Sequence, residues 1–258
     1  MTTTLFRNAL VVATMDDAGR EFAGGSVLVR DHVIEWVGAA DALPVAADRV
    51  HDCRGMVLLP GLVNTHHHFF QTLTRAVPAA QDAELFAWLR TLYPIWSRLT
   101  PEMIEVSAQV AMTELVLSGC TTVADHHYAY WPGMPYDASA LLFEVAAEFG
   151  VRFVLLRGGA TKVRDTDVNP PPQARPETLE AMLASVESDV RRYHQAGGDA
   201  MRKVVMSPTT PTWSVHVPEL KEFARAARTM GIGLHSHMSE SADYVNFCRD
   251  VHGCRPIE

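Results

Sequence analysis

The stretch PGLVNTHHH at residues 60–68 decides how this sequence is interpreted. Residues 62–65 are typical of a short strand that runs directly into three consecutive histidines. Because side chains alternate between the two faces of a strand, His66 and His68 should point to one side and His67 to the other. Two imidazoles on one face can bind one divalent metal ion. The alternative is a polar strand end whose histidines are held by hydrogen bonds.

A second histidine cluster, LHSHMSE at residues 234–240, follows another apolar segment. Its HxxE spacing lets His237 bind a metal while Glu240 stays unligated and reaches a water on that metal, where a carboxylate can move protons. Alternatively, Glu240 stabilises the first turn of the next helix through the helix dipole. Since both clusters lie at the C-terminal ends of predicted strands, the active face of a (β/α)8 barrel, we expect one metal ion between them.

Further candidates lie near these clusters. The DHH sequence at residues 125–127 could add ligands, although a structural or pocket-lining role is favoured. Gln71 offers a donor and an acceptor to a heterocycle edge, and Trp88, in an apolar helix-like stretch, offers a flat stacking face. A loop-capping glutamine and a core tryptophan fit the spacing equally well. Arg157 ends a predicted strand, and we expect it to meet a substrate carbonyl or anion.

The chain divides by pattern near residue 60. Residues 1–60 contain short Val- and Leu-rich segments separated by glycine and proline, which predicts a small all-β segment. From residue 61, strands and helices alternate, as in right-handed βαβ units with a parallel sheet. Strands are predicted at 62–65, 121–125, 151–156, 203–206 and 232–235, and helices at 101–117, 137–149, 177–195, 218–230 and 241–252. Residues 161–176, with three consecutive prolines, are predicted to be a long surface loop near the functional face.

A TIM barrel needs eight such units and ~250 residues. The sequence after residue 60 shows only five strands and five helices. We therefore predict an α/β fold with about five of the eight units of a TIM-like (β/α)8 barrel, in residues 61–258.

Composition limits the class of protein. Lysine and arginine number 22 and aspartate and glutamate 30, so the net charge is −8, and the sequence has no basic block. This disfavours nucleic acid as a partner. No apolar run approaches the ~20 residues of a membrane span, and the polar N-terminus is not expected to be a secretory signal. The four cysteines are scattered without a CxxC pair, which is typical of reduced thiols and predicts a cytoplasmic protein.

Several motifs together resemble one known family. PGLVNTHHHFFQTLTRA, SGCTTVADHHY and LHSHMSE resemble the amidohydrolase superfamily, in particular its branch of cyclic amidine deaminases, which includes guanine, 8-oxoguanine and cytosine deaminases. YWPGMPYDASALLFE, VRFVLLRGGAT and VVMSPTTPTWS are most similar to the isoxanthopterin (pterin) deaminases. The resemblance extends over essentially the whole chain.

The resemblance implies a distorted (β/α)8 barrel beside a small β-sandwich, to which residues 1–60 contribute. One Zn2+ ion, with Fe2+ as the alternative, would be bound by three histidines: His66, His68 and His237. Glu240 would be the proton shuttle and Gln71 a substrate contact, and Thr209 and Thr210 would face the substrate. The extra His67 and His235 are not expected to be ligands.

The implied activity is hydrolytic deamination of an aromatic amino-heterocycle, a pterin or an oxopurine such as isoxanthopterin or 8-oxoguanine, with water consumed and ammonia released. The alternatives are an s-triazine aminohydrolase, a cyclic amidase or an inactive truncated fragment. Family members continue beyond the equivalent of residue 258 with a strand-6 histidine and a strand-8 aspartate, so we expect a C-terminally truncated chain that lacks both. A homodimer is compatible with the resemblance.

Overall fold

The computed structural model describes residues 1–39, 46–163 and 175–258, and the chain divides into two compact units, Met1–Leu62 and Val63–Glu258. The predicted loop at 161–176 lies largely outside the described residues. The strands of the first unit are β1 (Thr3–Arg7), β2 (Val11–Ala13), β3 (Glu21–Ala23), β4 (Gly25–Arg30), β5 (Val33–Ala39), β6 (Arg49–Asp52) and β7 (Val57–Leu58).

These strands form two sheets, with orders β5-β4-β1-β6 and β3-β2-β7. The apolar run at residues 5–13, which resembles one strand, is divided between them. Asn8 adopts a left-handed backbone conformation with φ 62°, which interrupts the extended chain. As a result, β1 and β2 belong to different sheets.

The second unit alternates strands and helices. Its strands are β8 (Leu62–Asn64, which begins at the boundary), β9 (Cys120–His127), β10 (Arg152–Gly159) and β11 (Arg202–Pro208). Its α-helices are α1 (Leu85–Trp96), α2 (Pro101–Leu117), α3 (Ala138–Phe149), α4 (Leu179–Tyr193), α5 (Val217–Met230) and α6 (Ala242–His252), and 3-10 turns span Phe69–Thr74 and Pro78–Ala80.

The sheet of this unit has the order β11-β10-β9-β8, and β9, β10 and β11 are parallel. Where the sequence predicts a strand at 232–235, the structure has a single parallel bridge between Met206 and Leu234. The fold is therefore α/β, as predicted, and over the described ranges the strands form part of a barrel without closing it.

The helix ends follow from local sequence. The Thr100 hydroxyl accepts a hydrogen bond from the backbone N of Met103 at the start of α2, and Asp137 does the same for Ala140 at the start of α3. Gly150 ends α3 in a left-handed conformation with φ 66°, which a glycine adopts without strain. These signals explain why the predicted and observed bounds of α2 and α3 agree closely.

The main core lies between the sheet and its helices. Val123, Phe153 and Val204 are fully buried there, one from each parallel strand. Because side chains alternate, the neighbouring His126 and Ser207 face the other side of the sheet. Burial of each large apolar side chain contributes roughly 1.5–3 kcal/mol to folding, so this core holds the strand ends in place.

Two observations bear on the environment of the protein. All four cysteines are free thiols, and three of them are buried. Among the described helices, none combines the length and the apolar character that crossing a bilayer requires.

Candidate metal centre

Four histidines from three segments of the second unit lie close together: His66, His68, His126 and His237. One ring nitrogen of each lies within 4.8 Å of those of the others. Nε2 of His68 is 3.2 Å from Nε2 of His66 and 3.2 Å from Nε2 of His237. A tetrahedral zinc ion with Zn–N distances of about 2.0–2.1 Å holds its ligand nitrogens about 3.3 Å apart. The two spacings that involve Nε2 of His68 therefore fit one shared ion.

Hydrogen bonds to backbone carbonyls determine which ring nitrogen faces the cluster. Nδ1 of His68 is 2.7 Å from the carbonyl oxygen of His126, and Nδ1 of His237 is 2.6 Å from that of Thr209. A carbonyl can only accept, so both Nδ1 atoms carry the proton and both Nε2 atoms present lone pairs. Metal-binding histidines typically have such a partner on the second nitrogen. The donor set therefore fits a divalent cation.

Two of the imidazoles, those of His66 and His68, are also in the protonation state that a metal needs. Burial is the main reason why the pKa of His68 falls to about 3 and that of His66 to about 4. Both rings are therefore neutral at physiological pH, which is the form that binds metal ions.

Local structure explains the convergence. His66 and His68 follow β8 and share one side, while the intervening His67 uses its carbonyl oxygen to accept a 2.7 Å hydrogen bond from the backbone N of His126. The backbone N of His237 donates to the carbonyl oxygen of Thr209 at 3.1 Å, which holds the second cluster beside β11. The three predicted ligands thus lie together, and His67 is not part of the cluster. Their role as ligands stays a prediction.

The sequence favours a structural or pocket-lining role for the DHH residues, and the structure brings one of them, His126, into the histidine cluster. It is fully buried, stacks on His237 with ring centroids 4.5 Å apart, and has Nε2 3.1 Å from the Ser207 hydroxyl oxygen. Gly158 makes room for it, because a Cβ there would lie 2.8 Å from Cδ2 of His126. The signal was strand alternation, which separates His126 from its two neighbours in the DHH sequence.

A cavity of about 170 Å³ adjoins the cluster. Its polar lining comes from His68, Gln71, Tyr128, Thr209, Thr210, His237 and Glu240, together with Tyr93 of α1. Its apolar lining comes from Leu85, Trp88 and Leu89 of α1. Of the residues predicted to contact substrate, Gln71, Trp88, Thr209 and Thr210 lie on this cavity, as does the predicted proton shuttle Glu240. Tyr128 and the leucines of α1 were not predicted, because their contribution depends on how α1 covers the strand ends.

Hydrogen bonds within the protein hold two of the polar side chains that line the cavity. Nε2 of Gln71 donates a 2.8 Å hydrogen bond to the Tyr128 hydroxyl, which fixes the carboxamide. The Thr209 hydroxyl donates to the carbonyl oxygen of Gly159 at 2.9 Å, so this group is already engaged within the protein. Trp88 meets Trp96 edge to face, with ring centroids 5.3 Å apart.

The sequence matches a model of one known protein family. A model described as "Amidohydrolase family" matches residues 57–255. The chain belongs to the amidohydrolase family.

Individual relatives of this amidohydrolase agree with the deaminase branch predicted from its motifs. An isoxanthopterin deaminase from an unknown prokaryotic organism is 42% identical over 98% of this chain and 53% of its own length. An 8-oxoguanine deaminase of Pseudomonas aeruginosa is 40% identical over 100% of this chain and 56% of its own. The chain thus spans about half the length of the curated relatives it matches.

A solved structure supports the fold. The atrazine chlorohydrolase of Arthrobacter aurescens TC1, in complex with zinc, superposes with a TM-score of 0.87 at 25% identity and covers 98% of this chain and 56% of its own. Together with the histidine cluster, family membership indicates a site for a divalent metal in this amidohydrolase.

The amidohydrolase places Arg157 differently from the sequence prediction, which put it in contact with substrate. Arg157 is 1% exposed, and its guanidinium pairs with Glu177 at 2.6 Å and lies 3.8 Å from the ring centroid of Tyr130. It does not line the cavity. The reason is strand parity: Arg157 shares the side of β10 that carries Phe153, which packs against the helices.

Asp125 also lies on the helix side, just behind the metal centre of this amidohydrolase. It is fully buried, and its Oδ1 accepts a 2.8 Å hydrogen bond from the backbone N of Phe69. Its Oδ2 is 3.9 Å from Nδ1 of His127, too far for a hydrogen bond. Burial raises the pKa of Asp125 to about 8 and lowers that of His127 to about 3, so neither group is expected to be charged at neutral pH.

Proposed function

We propose that the full-length protein that carries this chain is a metal-dependent hydrolytic deaminase of an aromatic amino-heterocycle, a pterin or an oxopurine such as isoxanthopterin or 8-oxoguanine, and that it releases ammonia. The observation that carries this proposal is the convergence of His66, His68 and His237 beside a cavity that also contains Gln71 and Glu240. The relatives at 42% and 40% identity support the substrate class, since their names are isoxanthopterin deaminase and 8-oxoguanine deaminase.

His66, His68 and His237 would hold a single divalent ion through Nε2. Zinc is our choice, because the chlorohydrolase of similar fold was solved with zinc, and Fe2+ is the alternative. When bound, the ion supplies Lewis acidity that makes a water molecule nucleophilic near neutral pH. The carbonyl oxygens of His126 and Thr209 hold the Nδ1 protons of His68 and His237, so these rings keep one tautomer throughout.

Glu240 would move the protons of the reaction. It lines the cavity three residues after His237 and is exposed, so water can reach its carboxylate. One carboxylate oxygen would accept the proton that the attacking water loses and deliver it to a ring nitrogen of the heterocycle. It would then take the remaining proton of the added hydroxyl group and pass it to the amino group, so that the C–N bond breaks, the carbonyl forms and ammonia leaves.

The remaining cavity residues would bind the ring. Trp88 offers an indole face or edge to an aromatic heterocycle. Gln71, with its amide nitrogen held by Tyr128, presents its carboxamide to the polar edge of the ring. Thr209 contributes through its position on the wall, since its hydroxyl is bonded to Gly159.

Other properties of the whole protein are proposals of the same kind. A cytoplasmic location is supported by the four free thiols. Division into residues 1–60, as part of a composite β-sandwich, and residues 61–258, as part of the barrel, is supported by the two compact units. A homodimer stays a prediction.

The test is ammonia release by the purified full-length protein with isoxanthopterin, 8-oxoguanine, guanine, an s-triazine and a cyclic amide. We expect turnover of the pterin or an oxopurine, and loss of that turnover on removal of the metal with recovery on addition of zinc. Turnover of triazines or cyclic amides alone would assign the protein to a related hydrolase instead. Zinc binding without turnover of any compound would favour a catalytically inactive protein.

A further inference from the structure

The chain on both sides of His68 is held by two consecutive residues of β9. Oδ1 of Asp125 accepts a 2.8 Å hydrogen bond from the backbone N of Phe69. The backbone N of His126 donates to the carbonyl oxygen of His67 at 2.7 Å, and the carbonyl oxygen of His126 accepts from Nδ1 of His68 at 2.7 Å. These three hydrogen bonds, which we call the Asp125–His126 clamp, fix the backbone before and after His68 and also its ring.

Within the clamp, Asp125 is the part that depends on a side chain. The other two bonds use the backbone N–H and the carbonyl oxygen of His126, which any residue other than proline would provide at position 126. Phe69 begins the 3-10 turn Phe69–Thr74, and the preceding His68 makes no side-chain capping bond to it. Helical turns leave their first N–H groups without an internal partner. The carboxyl group of Asp125, fully buried, supplies that partner from a neighbouring strand.

The geometry points to Asp125 as a positioning residue for the metal site: by capping the amide of Phe69, it sets the backbone at His68 and thereby aims Nε2 of His68 at the metal position. This inference rests on the metal site of the proposed function. The backbone position of His68 matters because its Nε2 lies 3.2 Å from Nε2 of His66 and 3.2 Å from Nε2 of His237. A small rotation of the backbone at His68 would change both distances.

The test is zinc affinity of the full-length protein, measured by competition with a chelating dye. Asp125→Ala removes the acceptor, whereas Asp125→Asn keeps an oxygen of the same reach. Loss of an outer-shell partner typically costs 10–100-fold in metal affinity. We therefore expect the zinc Kd to rise by roughly 10–100-fold in Asp125→Ala and to stay near the wild-type value in Asp125→Asn.

The matched control is Asp189→Ala. Asp189 is another buried carboxyl group of the same unit and accepts a hydrogen bond from the Ser139 hydroxyl at 2.8 Å. Its removal should leave the zinc Kd unchanged. Circular dichroism checks folding, and Asp125→Ser, whose hydroxyl is too short to reach Phe69, replaces Asp125→Ala if the latter does not fold. In the metal-free proteins, the backbone amides of residues 66–74 should exchange hydrogen faster in Asp125→Ala, or in its replacement Asp125→Ser, than in Asp189→Ala.

Different failures are distinguishable. Wild-type affinity in Asp125→Ala, or equal loss in the Ala and Asn variants, would overturn the positioning role and leave the proposed metal site intact. Unchanged exchange of residues 66–74 would overturn the clamp itself. A wild-type protein that binds no zinc would overturn the proposed function, and with it this inference, because the failure would already be present before any substitution.

Discussion

Nε2 of His68 and Nε2 of His237 lie 3.2 Å apart, although 169 positions separate the two residues in the chain. Each ring donates its Nδ1 proton to a backbone carbonyl, so two lone pairs face each other across this distance. Two facing lone pairs repel unless they share a cation or a proton. This relationship between the segment after β8 and the segment after α5 is the basis for the first prediction.

Replacement of His68 or His237 by alanine should abolish stoichiometric zinc binding, because each removes one of three nitrogens with the spacing of a tetrahedral site. His67→Ala is the matched control, since His67 is adjacent in sequence but not part of the cluster. It should keep zinc at one ion per chain. Metal analysis after dialysis provides the measurement. Equal loss in all three variants would indicate general disruption of the strand end.

Glu240→Gln should reduce turnover by at least 10²-fold while zinc content stays at the wild-type level, because a carboxamide cannot accept and return a proton. The measurement pairs the rate of ammonia release with metal analysis of the same sample. If zinc and activity were lost together, Glu240 would be part of the metal site, and the shuttle role would be wrong.

Tyr128→Phe should raise KM for the heterocycle by about fivefold to tenfold with little change in kcat, since a hydrogen bond contributes about 1 kcal/mol and this one holds Gln71. Tyr136→Phe is the control: it removes a hydroxyl that donates to the carbonyl oxygen of Leu99, and Tyr136 does not line the cavity. Steady-state kinetics of both variants measure KM and kcat, and we expect only Tyr128→Phe to change KM. A similar change of KM in both would show an effect on stability instead of on binding.

Asp189→Asn should stabilise the protein at pH 7 but not below about pH 4. Burial raises the pKa of Asp189 to about 6, so the folded state binds this proton more tightly than the unfolded state does. The resulting stability is present below the unfolded pKa of about 3.9 and is lost as the pH rises through about 6. An asparagine stays neutral, and we expect a gain of about 3 kcal/mol at pH 7. Urea unfolding of the wild type and the variant at pH 4 and pH 7 measures this gain in the free energy of unfolding. An equal difference between the two proteins at both pH values would contradict the raised pKa of Asp189.

Local sequence was sufficient for several features. The Thr100 and Asp137 caps and the terminal Gly150 placed two helices, because capping depends on atoms within a few residues. Alternation along a strand put His66 and His68 on one side and His67 on the other, since this follows from backbone geometry alone.

Only the tertiary structure decided which side of each strand faces the cavity. Alternation of side chains predicts that Arg157 lies on the same side of β10 as Phe153, and that His126 and Asp125 lie on opposite sides of β9. It does not predict which side of either strand is covered by helices. That depends on how neighbouring strands and helices pack, which is a long-range property. Sequence therefore determined the composition of each face, and packing determined that Arg157 is buried in an ion pair while His126 joins the histidine cluster.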